Sequence, residues 1–255
     1  MAPPRIAVLG LGEAGGRLAG DLAAAGVAVV GYDPVASAGA EGVVRAADPE
    51  TAVAEADVVL SANSGAAALG AAKAALPGLR PGAVYADLNT AAPELKRELA
   101  ALLDEAGARF ADVALLGPVP ARGLGTPALA SGSGAGAFAD AVAPLGMPVE
   151  VVSEQAGDAA ALKLVRSVFM KGIAAAAIES LDAAEAAGRR EWLARELAAV
   201  IGEPLLVRLV EGSRRHAVRR AEEMAAAREL LLSLGVEPRI ASASASLLAE
   251  LAKDA

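Results

Sequence analysis

Residues 5–15 read RIAVLGLGEAG, and this stretch decides how the first half of the chain folds. An apolar run leads directly into glycines at positions 10, 12 and 15, which is the spacing G-x-G-x-x-G. The spacing predicts a buried strand, a tight turn and the start of a helix. Gly10 would permit the turn, Gly12 would let the backbone approach a pyrophosphate, and Gly15 would let helix and strand pack closely. The helix N-terminus would then offer free N–H groups and a partial positive charge to the phosphates.

The rest of the chain divides into an alternating half and a helical half. Further candidate strands are the apolar runs 27–32, 57–62, 83–88 and 110–116, and helical patterns lie near 13–25, 64–76 and 92–106. This alternation predicts an α/β fold with a Rossmann-type, doubly wound parallel sheet. Helices are predicted later at 158–187, 190–201, 203–234 (broken near Gly212) and 238–252. We therefore predict a dinucleotide-binding domain over 1–153 and an all-α domain over 154–255, joined by the long interdomain helix.

The second predicted strand ends in Tyr32 and Asp33, about 20 residues beyond the glycine motif. An aspartate at this place accepts hydrogen bonds from the adenosine ribose and repels a 2′-phosphate, which favours NAD(H) over NADP(H). Ser37 is near enough in sequence to contact a phosphate, so NADP(H) stays an alternative. The predicted cofactor-binding residues are Gly10, Leu11, Gly12, Glu13, Ala14, Gly15, Tyr32, Asp33, Ala62, Asn63, Asn89 and Thr90.

Composition excludes several other classes of site. The 255 residues include no cysteine and one histidine, so disulfides, zinc-thiolate sites, a cysteine nucleophile and a multi-histidine metal site are excluded. We therefore predict no metal. The formal net charge of −8 argues against nucleic acid as the main partner. No apolar run reaches the length of a membrane span and no signal peptide is recognised, so we expect a soluble, cytoplasmic protein with no membrane partner.

Several further motifs point to a known family. They are DLNT (87–90), the segment FADVALLGPVPARGLGTPALASG (110–132) and LKLVRS (162–167). With the glycine loop, they resemble the β-hydroxyacid dehydrogenase superfamily over nearly the whole chain. That superfamily includes 3-hydroxyisobutyrate dehydrogenase, 6-phosphogluconate dehydrogenase and, more distantly, imine reductases. Residues 163–181 and 216–224 resemble the phosphogluconate-dehydrogenase-like C-terminal domain.

The resemblance implies that Lys163 is the catalytic lysine, with Ser167 in the place of a substrate-binding asparagine. An independent argument is that hydride transfer at an alcohol carbon needs a group to move the hydroxyl proton. Cysteine is absent and His216 is remote in sequence, so a lysine desolvated in the interdomain cleft is the best candidate. The alternative is a solvated helix lysine. Lys163, Ser167 and Lys171 are spaced i, i+4 and i+8, so they share a helix face on which the two lysines could flank an anionic substrate.

The chain departs from the family at the substrate pocket. Members carry a serine-glycine-glycine run after the sixth strand, whereas this chain has Leu116, Gly117 and Pro118. Pro118 has no N–H to donate, so Gly117 and Pro118 predict an altered substrate-binding pocket. The basic run 208–220 is either a solvated helix face or, as family dimers suggest, a surface that places His216 against the substrate of a partner subunit.

Together these features predict an NAD(P)-dependent oxidoreductase that interconverts a small hydroxy acid and its oxo form, with or without decarboxylation. Lys163 would be the general acid in reduction and the general base in oxidation. Two alternatives stay open: C=N reduction, as by an imine reductase, and a dinucleotide-binding protein without catalysis. The alanine- and leucine-rich helices after residue 158 also predict a homodimer built by the C-terminal helices.

Overall fold

The computed structural model describes residues 3–35 and 41–253, so Ser37 lies outside the described residues. The chain forms two compact units, one up to Ala160 and one from Ala161 onward. The sequence predicts a domain boundary after residue 153, before the long helix, whereas this division after Ala160 falls within the first turn of that helix. We call the two parts unit 1 and unit 2.

Within residues 3–35 and 41–160, unit 1 is built on one sheet of eight strands in the order β3-β2-β1-β4-β5-β6-β7-β8. The strands are β1 (Ile6–Leu9), β2 (Val29–Tyr32), β3 (Val43–Arg45), β4 (Val58–Ser61), β5 (Val84–Asp87), β6 (Arg109–Leu115), β7 (Ala128–Ser131) and β8 (Val149–Ser153). β1 pairs with both β2 and β4, and all four of its residues are buried. Such central strands need apolar residues on both faces, because helices cover the sheet on each side.

In the described residues of unit 1, six α-helices cover the two faces of this sheet. They are α1 (Glu13–Ala24), α2 (Pro49–Val53), α3 (Gly65–Ala75), α4 (Pro93–Glu105), α5 (Val119–Arg122) and α6 (Ala135–Val142). Val8 packs with Leu18 of α1 in one apolar core, and the next residue, Leu9, packs with Leu99 of α4 in the other. Adjacent strand residues therefore face opposite layers, as the predicted doubly wound sheet requires.

The predicted fold class is confirmed, and one detail of the sheet is corrected. β7 runs antiparallel to β6, so the sheet is mostly rather than wholly parallel. The connection from β6 to β7 contains only the four-residue α5 and a short 3₁₀ turn. It is too short to cross over the sheet and bring the next strand back in parallel. β3, β7 and β8 were not predicted from the sequence.

Unit 2 is entirely helical in its described residues. Its helices are α7 (Asp158–Ala186), which begins in unit 1, α8 (Arg190–Ile201), α9 (Glu203–Arg215), α10 (Ala217–Ser233) and α11 (Arg239–Leu251). α7, α10 and α11 share a core that includes Leu164, Met224 and Leu248. A smaller core contains Leu181 and Leu206. Among the helices of the described ranges, none is sufficiently long and apolar to cross a membrane.

The break predicted in the helical run 203–234 is present, but it lies at His216 rather than near Gly212, where the chain stays helical. His216 has φ −122° and ψ 32°, which ends α9 and begins α10. Gly212 has a packing role instead. A Cβ atom at this position would lie 2.8 Å from Nη2 of Arg220, so the glycine makes room for that guanidinium group.

Candidate active site

The glycine loop has the geometry of a phosphate cradle. Gly10 has φ +98°, and a Cβ there would lie 2.5 Å from the carbonyl oxygen of Ala62. A Cβ at Gly15 would lie 1.9 Å from the carbonyl oxygen of Gly10. Gly12 differs, because a Cβ there would meet nothing within 4 Å, and it precedes α1 without a side-chain cap. Gly10 and Gly15 thus shape the loop, while Gly12 leaves open space at a helix N-terminus, where a pyrophosphate fits.

Asp33 is bonded to this loop, and the predicted residues Glu13 and Ala14 follow it in the first turn of α1. Its Oδ2 accepts a hydrogen bond from the Leu11 N–H at 2.7 Å, and Oδ1 accepts one from the Val35 N–H at 2.8 Å. The carbonyl of Tyr32 accepts from the Gly10 N–H at 2.8 Å. Arg45 on β3, which sequence reasoning missed, donates from Nη2 to the carbonyl of Asp33 at 3.0 Å. The adenosine end of the predicted site therefore has a fixed carboxylate and a nearby guanidinium group.

Predicted residues from two further strands also meet at the carboxyl edge of the sheet. Nδ2 of Asn89 donates to Oδ1 of Asn63 at 2.9 Å and to Oγ of Ser61 at 3.2 Å. It also bonds to the carboxylate of Asp87. The carbonyl of Thr90 approaches Gly65, where a Cβ would lie 2.7 Å from the Thr90 oxygen. These polar groups lie at the edge where open α/β sheets bind their ligands.

A fully buried ion triad supports this edge, and sequence reasoning missed it. Nζ of Lys96 lies 2.7 Å from Oδ2 of Asp87 and 3.1 Å from Oδ1 of Asp112, and no side chain of the three is more than 1% exposed. Burial favours a lower pKa for Lys96, but the two carboxylates outweigh it and raise that pKa. One ammonium group thus lies against both carboxyl groups. Within residues 3–35 and 41–253, no three His, Cys, Asp or Glu side chains form a group that could hold a metal ion.

In unit 2, two predicted substrate-binding residues meet a third residue that was not predicted. Nζ of Lys171 donates to Oγ of Ser167 at 3.1 Å and to Oε1 of Glu223 at 2.8 Å. Ser167 also donates to Glu223. Burial alone would raise the pKa of the Glu223 carboxyl, but Lys171, the Ser167 hydroxyl and, least of these, Lys163 one turn earlier on α7 lower that pKa. The predicted face of α7 therefore carries a polar cluster, and Glu223 of α10 joins it across 52 to 56 positions of sequence.

The other predicted substrate-binding residues lie in separate places. Gly117 and Pro118 follow β6 in unit 1, where the carbonyl of Pro118 accepts from the N–H groups of Ala121 and Arg122. His216 is the half-buried residue between α9 and α10 in unit 2. The role of these three residues stays a prediction.

The glycine loop, the fixed Asp33 and the doubly wound sheet together define a dinucleotide-binding protein of the Rossmann class. Residues 5–145 match the family described as the NAD binding domain of 6-phosphogluconate dehydrogenase, and the chain belongs to this family. Residues 184–251 match DUF1932, a domain of unknown function. These matches confirm the resemblance to the β-hydroxyacid dehydrogenase superfamily.

Individual proteins are similar along most of the chain. A conserved hypothetical protein from Sinorhizobium meliloti 1021 is 32% identical, with a TM-score of 0.75 over 96% of this chain and 87% of that one. An uncharacterized 28.5 kDa protein from Methanothermus fervidus is 29% identical over 75% of this chain and 74% of its own length. The fold is shared with Mycobacterium tuberculosis 3-hydroxyisobutyrate dehydrogenase, at 23% identity, a TM-score of 0.82 and coverage of 99% and 94%. Imine reductases share it too.

Proposed function

We propose that this protein is an NAD(P)-dependent oxidoreductase that interconverts a small hydroxy acid and its oxo form, with or without decarboxylation. The observation that carries the proposal is the face of α7, where Ser167 and Lys171 are bonded together one and two turns after Lys163. Two lysines and a hydroxyl on one face suit a small anion that bears an alcohol or carbonyl group. Family membership supports the cofactor half of the proposal.

The proposed site needs a dinucleotide, and the residues of unit 1 fit one. Gly12 and the N-terminus of α1 would hold the pyrophosphate, and Asp33 would hold the adenosine ribose. When bound, the nicotinamide supplies the redox chemistry, which no side chain of the protein provides. We propose NAD(H) as the preferred cofactor, because the carboxylate of Asp33 would repel a 2′-phosphate.

In this proposal Lys163 moves the proton. In oxidation its neutral amine accepts the proton of the substrate hydroxyl, and in reduction its ammonium group returns a proton to the new alkoxide oxygen. Lys171 would bind the acidic group of the substrate with its third N–H, because its other two N–H groups donate to Ser167 and Glu223. Asn89 and Thr90 would bind near the nicotinamide end of the cofactor.

The test is a panel of 3-hydroxy acids with NAD⁺ or NADP⁺, and of oxo acids and cyclic imines with NADH or NADPH, followed by the absorbance of the reduced nicotinamide. We expect turnover of a hydroxy acid, and Lys163→Met to lower kcat about 10²–10⁴-fold without changing cofactor affinity. Arg166→Met is the control, because Arg166 is exposed on the same helix. Turnover of imines alone would instead indicate an imine reductase. Cofactor binding with no turnover would indicate a non-catalytic protein.

A further inference from the structure

Glu223 holds the polar cluster of unit 2 together. Its side chain is only 9% exposed, and the single oxygen Oε1 accepts hydrogen bonds from both Ser167 and Lys171. The two donors lie on α7 and the acceptor lies on α10, so the carboxylate fixes both side chains from outside their own helix. A serine or lysine on a bare helix face would keep several rotamers, whereas here each has a defined partner.

The charges around Glu223 keep its carboxyl group ionised. Burial favours a raised pKa for Glu223, but the charge and hydrogen bond of Lys171, the Ser167 hydroxyl and the charge of Lys163 outweigh it and lower that pKa. For Lys171, in contrast, burial outweighs the opposite charge, and the pKa is lowered. Burial lowers the pKa of Lys171, Arg220 and Arg219 lower it further, and Glu223 opposes them. Glu223 is thus the carboxylate that opposes burial and the neighbouring cations in setting the pKa of Lys171.

We propose that Glu223 is a positioning residue for the reaction proposed above, because it fixes Ser167 and Lys171 on the face of α7 that carries Lys163. The inference rests on that proposed function. With Glu223 in place, Lys171 retains a third N–H that can point to a substrate anion, and Ser167 retains a lone pair that can accept from a substrate hydroxyl. A substrate bound by both groups would be oriented before any proton moves, which is worth large factors in rate.

A first experiment measures how strongly Glu223 affects the protonation of Lys171, and it needs no substrate. Competitive acetylation of the lysine amines by acetic anhydride across a pH series, read by peptide mass spectrometry, gives a labelling midpoint for Lys171. We expect Glu223→Gln to move this midpoint to lower pH by about 1–3 units, because the variant loses the opposite charge that favours the ammonium form. Glu222→Gln, a change at the exposed neighbouring residue, should leave it in place. An unchanged midpoint in Glu223→Gln would overturn the proposal.

A second experiment separates positioning from simple structural support. With the hydroxy acid identified by the panel, we expect Glu223→Gln to lower kcat/KM on the order of 10–100-fold. Its pH–rate profile should shift in the same direction as the labelling midpoint. Glu223→Asp keeps the charge and guards against a poorly folded Glu223→Gln protein. Glu223→Asp should leave the labelling midpoint of Lys171 unchanged but lower kcat/KM, because its shorter side chain cannot reach both Ser167 and Lys171.

The two experiments fail in different ways. A wild-type rate and pH profile in both Glu223 variants would overturn the positioning role and leave the proposed function standing. In Glu223→Gln, a lower rate with an unshifted pH–rate profile would also overturn the positioning role, because loss of folded protein alone gives that result. Absence of turnover in the wild-type protein would overturn the proposed function, and the positioning role with it, while the labelling midpoints would still report whether Glu223 and Lys171 are coupled.

Discussion

We expect Asp33 and Arg45 to act in opposite directions on the choice between NAD(H) and NADP(H). The carboxylate of Asp33 is fixed by two backbone N–H groups, one of them from the glycine loop, so it stays at the place where an adenosine ribose would lie. Arg45 is exposed and bonds to the carbonyl of Asp33, and an arginine at this edge is the residue type that accepts a 2′-phosphate. We expect Asp33 to prevail, because two backbone N–H groups fix its carboxylate, whereas the Arg45 side chain is long and exposed.

The cofactor preference can be measured by calorimetric titration. We expect NADH to bind at least about tenfold more tightly than NADPH, because a carboxylate and a phosphate at close range repel each other. Asp33→Asn should narrow this difference, and Arg45→Met should leave the affinity for NADH nearly unchanged. Tighter binding of NADPH to the wild-type protein, lost in Arg45→Met, would show that Arg45 determines the preference instead.

The cluster in unit 2 shows which residues of a site a sequence can reveal. The spacing of Lys163, Ser167 and Lys171 predicts one helix face, because the period of an α-helix is regular enough to fix neighbours one and two turns apart. Glu223 follows no such rule. It lies on another helix and reaches α7 only because α10 packs against it around Met224 and Leu164. Contacts between helices depend on packing, which the spacing within either helix does not encode.

At the scale of elements, the sheet of unit 1 caps the long helix. The N–H of Ala159 donates to Oγ of Ser131 at 3.0 Å, and the N–H of Ala160 donates to Oδ2 of Asp112 at 2.9 Å. These N–H groups belong to the first turn of α7, which has no earlier turn to accept from them. Asp112 is in turn balanced by Lys96 of α4. Lys96 thus connects α4 to Asp112 of β6, and Asp112 connects β6 to the start of the helix that carries the proposed catalytic lysine.

Removing that ammonium group should destabilise the protein strongly. Lys96→Met would leave Asp87 and Asp112 buried without a counter-charge, and breaking a buried pair in this way typically costs about 3–5 kcal/mol of unfolding free energy. Urea denaturation followed by circular dichroism measures the change. The control is Lys73→Met, because Lys73 is exposed on α3, and it should change the free energy by no more than about 0.5 kcal/mol. Equal stability of the two variants would contradict the role given to Lys96.

The elements predicted correctly are the ones with strong local patterns. The runs 27–32, 57–62 and 83–88 contain β2, β4 and β5, and the long helix predicted at 158–187 is α7. The missed strands lack such a pattern. β3 has three residues at the edge of the sheet, and β7, with the sequence ALAS, is half alanine. They become strands because a neighbouring strand supplies hydrogen bonds, which outweighs their weak local preference.

At the scale of the whole molecule, unit 2 carries an apolar groove on three of its helices. An open groove of about 450 Å³ lies between α7, α10 and α11. It is lined by Val165, Val168, Phe169, Gly172, Ile173, Leu231 and Ile240. Phe169 is 68% exposed and Ile240 is 57% exposed. Single exposed apolar residues are ordinary, but a continuous groove on three helices is typical of an interaction site.

We expect a second copy of the chain to cover this groove. Two-fold pairing is the commonest arrangement of soluble oligomers, and one apolar face can cover its own copy reciprocally. A stable pair buries more than roughly 2,000 Å² in total, which requires a surface as long as α7 and its neighbours provide. Light scattering at micromolar concentration should therefore give twice the chain mass of 25.1 kDa.

Phe169→Glu should give a monomer, because the pair would bury an unpaired carboxylate. Val200→Glu, on α8 and outside the groove, should stay dimeric. A wild-type monomer would refute the pairing, and a dimeric Phe169→Glu protein would place the interface elsewhere.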